Sequence, residues 1–363
     1  MGGKKNHLEG RLSTVLLLIT IFVGSFASDH YIPNSLLSFP LIISSLITAC
    51  LTGWGIPKLQ AIKFKQVIRK EGPKKHYTKA GTTTMGGIFI VPIGLIVGTL
   101  ISITRTNNLQ VVAISMLTML FMLIGGIDDW RSLTLNSNKG LTAKGKLILQ
   151  TIASSIFLVW ANWQEWINPQ IHLFSQNSIN VGIFIWPIAL FVLLAESNAT
   201  NLTDGLDGLA SGCGAIVFAG LALQLMLRGN ESDPEIASFC MAMSGAWLGF
   251  LIHNQNPAKI FMGDTGSLPM GAALGGIALL TNNLWPLLIM GGIFLAESLS
   301  VIIQVWTFKI TKRFYGEGQR IFKMAPIHHH YELKGISEQV IVNSFWLVTL
   351  LLVILGLLLR SNH

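Results

Sequence analysis

The chain has 363 residues, 51% of them hydrophobic and only 12% charged, against the roughly 25% charged of an average soluble domain, which excludes a water-soluble globule. Its net charge of +8 gathers in loops on one side of the predicted spans, so it describes a face for anionic lipid and phosphorylated substrates and excludes a nucleic-acid surface. Cys50, Cys213 and Cys240 lie far apart in apolar stretches, which excludes a disulfide framework and a cysteine zinc site.

Long apolar runs predict an all-α polytopic membrane protein of about eleven transmembrane helices. They lie near 13–28, 36–56, 84–104, 109–127, 146–163, 182–196, 208–227, 237–253, 268–281, 285–306 and 341–359. Most approach the roughly 20 residues that cross a bilayer as a helix. The first run follows Lys4, Lys5 and Arg11, as a signal peptide would, but no convincing cleavage site precedes Asp29-His30 and a second run begins almost at once. It reads as a retained extra helix, so residues 1–35 form an N-terminal segment and 36–363 a single transmembrane domain. The run at 268–281 is short and glycine-rich, with a broken or re-entrant helix as its alternative. With the N-terminus in the cytoplasm, every Lys and Arg except Arg105, Arg228 and Arg360 falls on an inside segment or at its membrane edge.

The unusual polar segments all fall on those inside loops. Lys79 precedes Gly81, Gly86, Gly87 and the threonines Thr82, Thr83 and Thr84, a segment able to fold closely around phosphate. Asp128 and Asp129 end an apolar run. Carboxylates can simply mark the water interface there, but adjacent helical side chains point about 100° apart, so the two can serve different groups, one a metal and the other a nucleophile. Lys146 and its competitor Lys144 open the next span, where basic residues commonly act as interfacial anchors.

Asp204 and Asp207 are three apart in a glycine-punctuated turn and share a face if that turn is helical, with helix capping as the plainer role. Asn198, Asn201 and Thr203 beside them suit ribose hydroxyls or a pyrimidine edge. In Gly263-Asp264-Thr265-Gly266-Ser267 a helix begins whose free N–H groups favour an anion. A carboxylate there repels phosphate unless a divalent cation lies between them, so Asp264 points to Mg²⁺. His328, His329 and His330 follow Pro326; in an extended segment at most two converge on one point. They suit diphosphate contacts or general acid–base work better than zinc.

The segments at 79–87, 127–129, 201–212, 261–268 and 325–335 resemble, in order, the signature loops of the polyprenyl-phosphate N-acetylhexosamine-1-phosphate transferases. Among these they are most similar to the phospho-N-acetylmuramoyl-pentapeptide transferases, from about residue 36 onward. The resemblance implies Mg²⁺-dependent transfer of a phosphosugar from UDP-N-acetylmuramoyl-pentapeptide to undecaprenyl phosphate at the bacterial inner membrane, giving lipid I and UMP. By the same resemblance Asp128 and Asp129 lie near the lipid phosphate and Asp264 is the metal-binding acid. Lys79, Asn201, Asp204, Asp207 and Phe261 then bind uridine, with Thr84 in the phosphate-facing loop, while Lys146 and His328 to His330 contact the diphosphate or act in catalysis.

The candidate catalytic set is therefore Asp128, Asp129, Asp264 and His328. Thr83 departs from the family pattern, which has proline there, and the 13–28 span is additional to the family's usual ten. A sister enzyme using UDP-N-acetylglucosamine and, in a different class, a transporter are the competing expectations. Membrane lipid and a second copy of the chain are the remaining candidate partners.

Overall fold

The computed structural model describes residues 2–62, 81–106, 108–135, 140–172, 178–230 and 233–359, with side chains from Gly10 onward. Lys79 lies outside the described residues. The helices are α1 (Gly2–Tyr31), α2 (Ser38–Ala61), α3 (Gly87–Arg105), α4 (Leu109–Thr134), α5 (Ala143–Trp163), α6 (Ile185–Thr203) and α7 (Leu209–Arg228). They continue with α8 (Asp233–Asn254), α9 (Asp264–Leu280), α10 (Leu284–Met290), α11 (Gly292–Tyr315), α12 (Ile327–Leu333) and α13 (Glu338–Leu358). Among the described residues the sheet is confined to a small antiparallel hairpin, Gln170–His172 with Ser178–Asn180, before α6, and one isolated bridge.

Among the described residues, 9 helices are long and apolar enough to cross a membrane, and the protein is a multi-pass membrane protein. α5, with Lys144 and Lys146 in its first turns, and the 17-residue α9 fall outside that set. The outer helices turn apolar side chains outward, as Leu16 and Phe26 on α1, Ile156 on α5 and Leu351 on α13 do. α7, α8 and α9 are buried nearly all round, the mark of helices enclosed by other helices.

The structure shows the form of two predicted spans. The 268–281 run is helical, as expected, and unbroken. It is the continuous helix α9, buried from Thr265 to Leu280, because Gly271, Ala272, Ala273, Gly275 and Gly276 let α4 and α6 pack closely along it. The break falls instead inside 285–306, where Gly291 leaves helical geometry (φ −82°, ψ 12°) and separates α10 from α11. α11 then runs past residue 306 to Tyr315.

α4 crosses the start of α9 so tightly that a Cβ on Gly125 would lie 2.1 Å from the Asp264 carbonyl oxygen. Gly125→Ala is therefore expected to destabilise the protein by about 1–3 kcal/mol, the usual cost of overpacking. It should also displace the Asp264 turn, so the thermal midpoint falls and activity falls with it. An unchanged midpoint would show that the helices separate freely at this crossing.

Candidate active site

The ends of α4, α6 and α8 and the starts of α5, α7 and α9 meet at one end of the bundle, and the polar segments meet there with them. Gly263 opens α9 with φ +71°, a conformation that favours glycine, and a Cβ there would lie 2.5 Å from Asp129 Oδ2. Asp129 accepts from the amides of Asp264 (3.2 Å) and Thr265 (2.9 Å) and from the Thr265 hydroxyl (2.6 Å). The Asp204 carboxylate also lies near enough to the Gly263 amide to be stabilised by it. The helix start expected to offer open N–H groups to a substrate anion is thus already served by two carboxylates of the chain itself, a placement that suits the partial positive charge of a helix N-terminus.

Asp264 faces the other way. One carboxylate oxygen meets the Lys146 ammonium, and the other accepts from Asn201 Nδ2 at 2.6 Å. The same Asn201 group contacts Ser267 Oγ at 2.8 Å. Lys146 Nζ also lies 3.2 Å from Asp128 Oδ2, and Asp128 Oδ1 accepts from the Leu141 amide at 2.6 Å. Asp128 and Asp129 accordingly serve two different groups, as adjacent helical positions allow. Lys144 is exposed, so Lys146 is the lysine in the cluster.

Burial alone would push the Asp264 carboxyl up and the Lys146 ammonium down, but each holds the other in its charged form. Lys146 with the Asn201 hydrogen bond keeps Asp264 below the usual carboxylate range, and Asp264 with Asp128 keeps Lys146 above the usual lysine range. Asp204 has no such cation among the described residues. Burial, and then Asp264, Asp129 and Asp207, raise its carboxyl to about 8. Asp128, Asp129, Asp204, Asp207 and Asp264 thus gather at the end of the bundle where the Lys146 ammonium is held.

Thr83 and Ile260 form a parallel bridge, closed by a 2.7 Å bond from the Phe261 amide to the Thr83 carbonyl. The Gly86 amide returns to the Phe261 carbonyl at 2.9 Å. Backbone pairing thus fixes this loop. Thr84 is buried beside the Gly263 turn, and Phe261 is half-buried.

Asp204 and Asp207 do not share a face. Asp204 closes α6 in a non-helical conformation (φ −78°, ψ 54°), and Asp207 turns to the Ala258 amide (2.9 Å) and Asn256 Nδ2 (3.1 Å). Glu338 ties the same turn, accepting from the Asp207 amide at 2.8 Å. Asn256 and Glu338 carry no sequence signal that marks them for this role.

The three histidines are helical and not extended, so they fan around α12. His328 is buried against Glu297, His329 bonds Glu332 at 2.7 Å, and His330 Nδ1 accepts from the Lys323 amide at 3.1 Å.

Among the described residues no group of three or more His, Cys, Asp or Glu is disposed to hold a metal ion. Asp128 and Asp264 nevertheless both present an oxygen to one cation, the Lys146 ammonium. A hard cation that takes one or two carboxylate oxygens, and fills its shell with water and phosphate, matches this all-oxygen set.

The profile of glycosyl transferase family 4 matches residues 111–282. A phospho-N-acetylmuramoyl-pentapeptide-transferase of Prochlorococcus marinus is 64% identical over 354 residues, covering 98% of this chain and 95% of the relative. Proteins of the same name from a Synechococcus species and from Microcystis aeruginosa are 59% and 46% identical. They cover 98% and 97% of this chain, and 96% and 94% of their own lengths.

Proposed function

Because the chain belongs to the phospho-N-acetylmuramoyl-pentapeptide-transferase family, we propose that it transfers phospho-N-acetylmuramoyl-pentapeptide from its UDP donor to undecaprenyl phosphate, forming lipid I and UMP. The observation that carries this reading is the Lys146 ammonium held between Asp128 and Asp264, with Asn201 on Asp264, where α4, α5, α6 and α9 meet. Phosphoryl transfer asks a protein mainly for positioning and for neutralising charge on the transferred group.

Lys146 supplies a fixed cation at the diphosphate. Asp264 and Asp128 hold that cation in place and are the groups that would hold Mg²⁺, which when bound supplies further neutralisation of the diphosphate. Asn201 orients Asp264, and Asp129 braces the start of α9. Asp204, Asp207, Phe261, Thr84 and Lys79 bind the nucleotide part of the donor, with His329 and His330 toward the diphosphate. The lipid phosphate is largely ionised near neutral pH, so Asp128 need not act as a strong base and meets that phosphate through the Lys146 ammonium it holds.

The site faces the cytoplasm of a bacterial inner membrane, a reading supported by the Lys and Arg distribution. Reporter fusions after Leu12 and at the C-terminus are expected to give opposite signals, inside and outside respectively. Same-side signals would mean that one helix does not cross.

The substrate is tested by offering the purified protein undecaprenyl phosphate with UDP-N-acetylmuramoyl-pentapeptide or UDP-N-acetylglucosamine and measuring UMP. Release with the pentapeptide donor alone of the two is expected. Release with UDP-N-acetylglucosamine alone would assign the chain to a sister activity.

A further inference from the structure

α11 carries a carboxylate into the interior of the bundle. Glu297 is 0% exposed, and so is His328, whose Nδ1 lies 3.0 Å from Glu297 Oε2. Among the described residues no aligned hydrogen bond reaches either Glu297 oxygen or either His328 nitrogen, so the two groups have chiefly each other. An acid at this depth in a membrane protein is costly unless a specific partner meets it, and such residues persist where they serve function. The surrounding elements offer little else. Cys213 of α7 is close enough to feel the Glu297 charge, and Thr349 of α13 donates to that sulfur at 3.3 Å.

The far side of the His328 ring presses on the nucleotide turn. A Cβ added to Gly205 would lie 2.3 Å from His328 Nε2 and 2.8 Å from Cε1, so space requires glycine at this position. The His329 ring packs edge-on against His328 with centroids 4.1 Å apart. α12 has only 7 residues, too few to be stable without tertiary support. Its one fully buried side chain is the His328 wedge.

We propose that Glu297 is a positioning residue for the donor site. It holds His328 in α12 against Gly205, and so fixes the turn that carries Asp204 and Asp207. The inference rests on the donor-site reading given above. It also gives His328 a supporting role beneath the turn in this conformation, in place of direct contact with the reacting phosphates.

The test uses full-length protein in detergent, with the dissociation constant of UDP-N-acetylmuramoyl-pentapeptide as the readout beside the thermal midpoint. Glu297→Gln, which keeps size and loses charge, and Glu297→Ala are each expected to weaken donor binding by about 2- to 150-fold, the range of coupling seen for contacting pairs. The KM for undecaprenyl phosphate should stay within about twofold, a split that general loss of structure does not give. Combining Glu297→Gln with His328→Ala should weaken binding no further than His328→Ala alone. Gly205→Ala should match these losses.

Glu297→Gln that binds donor as wild type does, or losses that multiply in the double variant, would overturn the proposal. If Glu297→Ala does not fold, the isosteric glutamine variant decides. Wild-type protein that binds no donor would overturn the donor-site reading, and this inference with it.

Discussion

Asp264→Asn is expected to lower kcat/KM by at least about 1,000-fold while the protein stays folded. The substitution preserves shape and keeps an oxygen to accept from Asn201, but removes the charge that faces the Lys146 ammonium. Two functions fail together: Lys146 loses one of its two carboxylate partners, and the all-oxygen set loses half of its anionic donors. Because the backbone of Asp264 is anchored independently by Asp129, the thermal midpoint should move little. If Asp264 holds Mg²⁺, raising Mg²⁺ well above the wild-type requirement should restore part of the activity. UMP release across a Mg²⁺ titration, with a melting curve at each end, measures both. Full activity at ordinary Mg²⁺ would remove Asp264 from the machinery.

Lys146→Met should cost about 100- to 1,000-fold in kcat/KM, the loss typical of removing one charge-stabilising donor from a phosphoryl or acyl transfer site. Methionine has similar bulk but leaves Asp128 and Asp264 facing one another without a counter-charge, and breaking such a partly buried arrangement is worse than never having built it. Lys146→Arg should recover only part of the loss, since a planar guanidinium cannot take the place of a point charge set between two carboxylates. The same assay on Lys144→Met is the internal comparison, and near-normal activity is expected there because that side chain is exposed. Equal losses at both positions would mean that general surface charge, and not the ion-paired cation, matters.

The helices were legible because a bilayer imposes length and apolarity on each span independently of its neighbours. What composition could not rank was depth. The short glycine-rich run at 268–281 looked like the weakest span and is the enclosed α9, because small residues gain their stability from close neighbours. The break at Gly291 lies between α10, which packs chiefly on α13, and α11, which packs chiefly on α6, partnerships that no local pattern in 285–306 announces.

Within the site, the polar segments were legible as unusual clusters at helix ends, and Asp128, Lys146, Asn201 and Asp264 do meet. Their division of labour was not. Asp129 caps a helix 135 positions away in sequence, and Asp207 is bound through Ala258 and Asn256. Both partnerships depend on tertiary contact. Glu297 was visible only as an acid within an apolar run; its partner His328 belongs to a segment whose helical form was not foreseen, since the flanking Pro326 and loop residues suggested extended chain.

The most direct measurement is a product balance on the purified protein in lipid vesicles, with labelled UDP-N-acetylmuramoyl-pentapeptide, Mg²⁺, and undecaprenyl phosphate present or omitted. With the acceptor, one UMP should form for each lipid that gains phospho-N-acetylmuramoyl-pentapeptide. Without it, no UMP should form, because a single direct attack by the lipid phosphate requires both substrates at the Asp128–Lys146–Asp264 cluster. Absence of the lipid product, or a stoichiometric burst of UMP from the donor alone with label retained on Asp264, would contradict the account.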